Sequence, residues 1–356
     1  MRSQRIILSL SLLLWLPIAA AVARAQTSRA ESAASYLERG ASWMEKGEID
    51  RAIADYDLAI AFDSQSSVAR YNRGVARQSK GDLAGALKDF NEAIRLNPRY
   101  LDAYINRGKI HGDLGASEAA IKDFNQAIAI NPGDTRAYNN RAAARQRAGD
   151  LGAALADVNV AIRLDRRNAE AWGNRCGLRY RRGEYMEALA DCDRAINLDA
   201  RNAYAWNNRG LARQETGDLD GAIADFDRAI AFAPRQADFH SNRGRAWLAK
   251  GAVERALVDL NNALAFDPRL AAAWSHRGVV WFAKRDLTRA ISDFDQALKL
   301  DPGMAGAYCS RGVTWLAQGK PAEAEADFAS CRSLGGSPKP EAEALLREMK
   351  GRRAPK

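Results

Sequence analysis

From residue 33 onward the chain alternates two kinds of segment. Apolar and small residues recur three and four apart, stop at a short polar break, and then recur again to a second stop. Residues 203–236 show one full cycle. Helix-spaced apolar and small residues fill 204–215, and Thr216-Gly217-Asp218 interrupts them with a glycine suited to a helix C-terminus and an acid suited to the next N-cap. In 219–232 Ala222, Phe226, Ala229 and Ile230 fall on one stripe, and Pro234 closes the second helix. The cycle is a helical hairpin, and it returns every 34 residues: Gly40, Gly74, Gly108, Ala142, Cys176, Gly210, Gly244, Gly278 and Gly312 mark one position, with no insertion or deletion.

Nine such units run 33–66, 67–100, 101–134, 135–168, 169–202, 203–236, 237–270, 271–304 and 305–338, covering 306 of 356 residues. A hairpin this short cannot bury its apolar face alone, so the units must stack, which predicts an all-α solenoid. After the last unit, residues 339–356 read as a capping helix and a basic tail, with Ala342, Leu345, Leu346 and Met349 on the helix's apolar face. The residues are counted below as slots 1 to 34 of each unit.

An aromatic, a small residue, a later alanine, an aromatic and a terminal proline stand at Trp206, Gly210, Ala222, Phe226 and Pro234. The alanine slot is filled in all nine units, from Ala52 and Ala86 to Ala290 and Ala324. This pattern resembles the tetratricopeptide repeat (TPR) family. The resemblance implies a right-handed superhelix, with first helices lining a concave groove and second helices on the convex side.

The chain departs from the family at slot 7, where leucine is expected and every unit has arginine, from Arg39 to Arg311. Sixteen residues later every unit has aspartate, from Asp55 to Asp327. Both slots adjoin the apolar stripes, where an unpaired charge is costly. The spacing therefore predicts nine Arg–Asp ion pairs, Arg209 with Asp225 among them, formed within a repeat or between neighbours. A row of arginines could also face an anionic partner, but an aspartate for every arginine favours structural neutralisation.

Cys176 and Cys192 occupy slots 8 and 24 of the fifth unit, and Cys309 and Cys331 occupy slots 5 and 27 of the ninth. Each pair of slot numbers has the same sum, so each pair stands level across a hairpin that turns near slot 16. Disulfides Cys176–Cys192 and Cys309–Cys331 are expected; the alternative is four buried thiols acting as small apolar residues. Pairing suits an exported chain. Residues 1–25 read as a signal peptide, with Arg2 and Arg5 before the apolar run 6–18 and a small-x-small site at Ala23-Arg24-Ala25; residues 26–32 read as a short disordered linker. The bacterial periplasm is the expected compartment, and an uncleaved N-terminal membrane anchor is the alternative. The formal charge of +9 falls to +6 without the signal's three arginines. That surplus is mild, and export removes nucleic acid from the expected partners. No second stretch is long and apolar enough to span a membrane.

Slot 6 holds asparagine in six consecutive units: Asn72, Asn106, Asn140, Asn174, Asn208 and Asn242. The resemblance places it on the concave side. An amide offers both a donor and an acceptor, so a row of them could grip an extended peptide by its backbone. It is similar to the asparagine ladder of the O-linked N-acetylglucosamine transferases, but no segment here resembles their catalytic domain. Asparagine tolerated without binding is the competing reading. The lysines of the family's carboxylate clamp are missing from slot 2, which runs from Ala34 through Asp102, Arg136 and Tyr204 to Gly306. Around the row, Lys109, Arg147 and Arg181 make the middle locally basic, while Trp247, Trp281 and Trp315 read as packing residues and Phe282 as a candidate exposed aromatic.

Chemistry is sparse. His111, His240 and His276 occupy different slots of different units, and no phosphate-binding glycine loop occurs. No catalytic residue, metal or cofactor is expected. The expected function is an exported scaffold that binds a protein or an extended peptide in its groove; a polysaccharide-associated envelope module is the alternative.

Overall fold

The computed structural model describes residues 32–353. The signal peptide expected at 1–25 and all of the linker expected at 26–32 except Ser32 lie outside the described residues. Ser32 already belongs to a helix. The chain divides into two units, Met1–Arg166 and Arg167–Lys356. In the first unit the helices are α1 (32–45), α2 (Ile49–Phe62), α3 (Ser67–Lys80), α4 (Leu83–Leu96), α5 (Leu101–Asp113), α6 (Ser117–Ile130), α7 (Thr135–Arg147) and α8 (Leu151–Leu164). In the second they are α9 (Ala169–Arg181), α10 (Tyr185–Leu198), α11 (Ala203–Glu215), α12 (Leu219–Phe232), α13 (Ala237–Ala249), α14 (Val253–Phe266), α15 (Ala271–Ala283), α16 (Leu287–Leu300), α17 (Ala305–Ala317), α18 (Pro321–Ser333) and α19 (Pro340–Arg353). Each unit is an all-α solenoid of stacked hairpins. Within each, a second helix packs on the next first helix, and first helices also touch across repeats, as α5 does α7 and α13 does α15.

Local signals explain where the helices stop. Asp82, Asp150, Asp218 and Asp286 cap second helices by accepting a backbone N–H three residues on. At slot 15, where the hairpin turns, eight repeats place a glycine in the left-handed region; the eighth repeat places Arg285 there, at φ 64°.

The hairpin core is built on size matching between slots 8 and 24. Seven repeats put glycine at slot 8 because a large side chain lies directly over it: a methyl on Gly210 would stand 2.7 Å from Phe226 Cε1, and one on Gly244 would stand 2.9 Å from Leu260 Cγ. Where slot 8 grows to Ala142, slot 24 shrinks to Val158. In the fifth repeat both are cysteine, and Cys176 and Cys192 form a disulfide with their Cα atoms 5.3 Å apart. Cys309 and Cys331 form the second, with Cα atoms 5.5 Å apart. All nine slot-20 alanines, and the slot-27 alanines of the first eight repeats, are fully buried. That absence of bulk lets the helix axes approach closely enough for a disulfide.

The arginine ladder ties these hairpins together in two directions. In all nine repeats the slot-7 guanidinium forks onto the slot-23 carboxylate of its own hairpin. Arg209 donates through Nε to Asp225 Oδ2 (2.9 Å) and through Nη2 to Oδ1 (2.7 Å). The remaining nitrogen reaches back one repeat to slot 25. In the first unit Arg73, Arg107 and Arg141 reach Asp57, Asn91 and Asn125. In the second, Arg209, Arg243, Arg277 and Arg311 reach Asp193, Asp227, Asn261 and Asp295. The ion pair is thus intra-repeat, and its spare donor is the inter-repeat tie. Most of these guanidinium groups also lie over the slot-4 ring, as Arg209 does over Trp206 at 4.6 Å. Burial opposes the charge on Arg209, but hydrogen bonds to Asp225 and Asp193 outweigh it and raise its pKa above the usual value. Asp225 takes a third donor, Arg213 Nη1 at 2.9 Å.

Arg277 and Asp293 offer the cleanest test of the ladder, because the other partners of Arg277, Asn261 and the Trp274 ring, carry no charge. Reversing either charge alone is expected to cost about 3–5 kcal/mol in chemical denaturation, and the double reversal to recover most of it; additive losses would refute the pairing. The double change Cys176→Gly with Cys192→Phe should hold its melting temperature in reductant, whereas Cys192→Phe alone should lower it by overpacking. If the double variant melts no higher than the single, slots 8 and 24 are not size-matched. Arg285→Gly should stabilise by about 1 kcal/mol by relieving a left-handed non-glycine, and an unchanged or lower melting temperature would count against it.

Candidate functional site

The first helices carry the asparagines of slot 6, and all six side chains are partly buried. In the first unit Asn72, Asn106 and Asn140 lie on α3, α5 and α7. Asn106 Nδ2 donates to the hydroxyl of Tyr71 at 3.0 Å, in slot 5 of the preceding repeat. Tyr71 in turn packs on Phe90 and Tyr100, with ring centroids 5.7 and 4.8 Å away. Burial pushes the Tyr100 hydroxyl up to about 12, so this cluster stays neutral at physiological pH. Arg136 at slot 2 bridges Asp134 and Asp102 at 2.6 and 2.9 Å, so it is a tie between repeats and not a free cation.

The second unit repeats the arrangement. Asn242 Nδ2 donates to Asn207 Oδ1 at 2.9 Å, again from slot 6 to slot 5 of the preceding repeat. Asn208 packs over Gly177, where an added side chain would meet its amide nitrogen at 3.0 Å. In the eighth repeat His276 takes the asparagine's slot and pairs through Nδ1 with Ser241 Oγ at 3.2 Å. Burial, with Arg245 nearby, pushes the His276 imidazole down to about 4, so it serves as a neutral partner. Arg245 itself reaches Gln214 Oε1 at 3.2 Å and Glu215 Oε1 at 3.5 Å.

The partner of the asparagine row is therefore slot 5, thirty-five residues upstream, which is Tyr71, Asn207 or Ser241 in these cases. Sequence reading missed it because slot 5 has no constant residue type. The arrangement fixes the polarity of Asn106 and Asn242. One N–H of each amide is engaged in the stack, which leaves its second N–H and its side-chain oxygen for other partners. Of the residues expected to make the middle basic, Lys109 and Arg147 are exposed, and the Arg147 guanidinium sits against Gly112. Trp247, Trp281 and Trp315 are partly buried and each lies under a cation: Arg255, Arg289 and Lys320, at 4.7–4.8 Å. No helix among the described residues is long and apolar enough to cross a membrane.

Comparison with known proteins agrees with this geometry. Models described as tetratricopeptide repeat match residues 101–134, 178–246 and 271–304, and one described as TPR repeat matches 76–115. A search of curated proteins finds no match. Among solved structures, a tetratricopeptide repeat protein from Parabacteroides merdae is 22% identical with a TM-score of 0.57, over 70% of this chain and 99% of that one. The Cut9–Hcn1 hetero-tetramer of the APC/C is 15% identical with a TM-score of 0.64, over 89% and 76%. PilF of Pseudomonas aeruginosa is 19% identical with a TM-score of 0.52, over 58% and 94%. These likenesses are of fold. Taken with the repeat-by-repeat register of glycine, alanine and aromatic, they lead to one conclusion: the chain belongs to the tetratricopeptide repeat family, whose fold is used as a scaffold for protein–protein interaction.

Proposed function

We propose that the protein is an exported interaction scaffold that holds an extended peptide, or an extended stretch of a partner protein, against the first-helix faces of its units. The observation that carries this reading is the slot-6 row. Asn106 and Asn242 are each held by one N–H on the preceding repeat and keep a second N–H and an oxygen, which suit the C=O and N–H groups of an extended backbone. Such contacts ignore the identity of the bound side chains, so the row supplies general grip and the residues around it supply selectivity. Export is supported by the two disulfides, which persist in oxidising compartments, together with the leader-like pattern of residues 1–25. The periplasm of a bacterial cell fits both.

Crosslinking in the native compartment tests the reading. Changing Asn72, Asn106 and Asn140 to alanine, and separately Asn174, Asn208 and Asn242, should each remove crosslinked protein partners. The variants' melting temperatures report any damage to the stack. Partners retained by both folded variants, or a purified protein that captures polysaccharide and no peptide, would overturn it. N-terminal sequencing of the native protein is expected to begin at Gln26.

A further inference from the structure

The first-helix face of the second unit changes character along its length. Through α11 and α13 it presents Asn208, Asn242 and the Arg245 cluster, but from α15 onward slots 9 and 12 turn apolar. Val279 and Phe282 on α15 and Val313 on α17 line an open trough, with Ser310 in the asparagine's slot. A second cavity continues it toward α19, past Leu316 and Leu345. The two hollows measure about 160 and 280 Å³ and share Phe282, Val313 and Lys339.

Lys339 gives the trough its electrostatics. It is exposed, lines both hollows and pairs with no carboxylate among the described residues. The nearby acids are separately placed: Glu343 is held by Arg332 at 2.9 Å, and Glu341 borders only the hollow beside α19. The end nearer the asparagine row is therefore apolar below and cationic at its rim. In an extended chain residues i and i+2 point the same way, roughly 6.5–7 Å apart, a span the flexible arm of a lysine can cover. The adjacent residue points to the opposite side and cannot reach.

We infer that this trough anchors a large apolar side chain of an extended partner segment, with an acidic side chain two residues away meeting Lys339. This rests on the groove reading above: the amides hold the backbone, and the trough selects which segment is held.

Fluorescence anisotropy on the purified protein, with an acetylated and amidated glycine-serine peptide carrying one Leu-Gly-Glu triplet, is the test. Replacing the peptide leucine by serine, or Val313→Glu in the protein, should weaken binding about tenfold or more, as expected for losing one buried leucine. Phe282→Ala should act in the same direction, and its melting curve guards against a folding artefact. Lys339→Glu, at an exposed site, should weaken the Leu-Gly-Glu peptide about fivefold and favour a Leu-Gly-Lys peptide instead. Binding that is weakened by Asn208→Ala and Asn242→Ala but indifferent to every trough change would overturn the trough and leave the groove reading standing. The reverse pattern would support the trough and remove the amides from the account. A free-acid peptide ending in leucine that binds more tightly than the internal triplet would overturn the assignment of the acid to a side chain. No binding by any of these peptides would overturn both readings.

Discussion

A guanidinium has more N–H donors than one carboxylate can accept, and the stacking of this chain rests on the surplus. Two nitrogens of each slot-7 arginine close a fork on the aspartate of the same hairpin. In Arg73, Arg107, Arg141, Arg209, Arg243, Arg277 and Arg311 the third reaches into the repeat before it and finds an aspartate or an asparagine at slot 25. A lysine could supply the charge but not three fixed directions. With its plane laid on the slot-4 ring, the guanidinium fixes the separation of two helices and the offset of two repeats together. Other positions vary from repeat to repeat while this geometry is kept.

The glycine and aromatic of slots 8 and 24 show such tolerance. The pair conserves volume and not identity: glycine faces phenylalanine, alanine faces valine, and two cysteines form a bond. The disulfide at Cys176 fills a place in the core that seven other repeats fill with glycine under a tyrosine, phenylalanine or leucine. It is at once a covalent staple and a packing element. The Cys309–Cys331 bond is different in position, since Gly336, in the turn leading to α19, lies directly against Cys331 Sγ. There the staple sits beside the segment that carries Lys339.

Much of this was legible in the sequence because repetition turns one chain into nine aligned ones. The second helix 219–232 and the start of the capping helix at Pro340 read directly from apolar spacing and stop signals, and both agree with α12 and α19. The Arg–Asp forks and both cysteine pairs could be read because their slots hold a constant residue type or a constant level across the hairpin. What could not be read were contacts whose partner slot varies. Slot 25 alternates between aspartate and asparagine, which differ in charge but share a carbonyl-like acceptor. Slot 5 offers tyrosine, asparagine or serine to the asparagine row, and only the positions of the atoms show that these do one job. The first turn of a helix has no period of its own, so spacing alone assigns Ser32 to the linker; the structure adds it to α1.

The ninth repeat has Ala329 at slot 25, where the earlier repeats have Asp57, Asn91 or Asp193. Thirty-four residues after Arg311 stands Leu345, which needs no acceptor there, and α19 packs on α17 and α18. The array thus carries a terminator as well as a repeating unit. Duplication of an inner hairpin would give a longer chain with every arginine still matched, whereas a hairpin added after the ninth would meet an alanine. A single side chain, Ala329, marks where the ties from slot 7 to slot 25 stop.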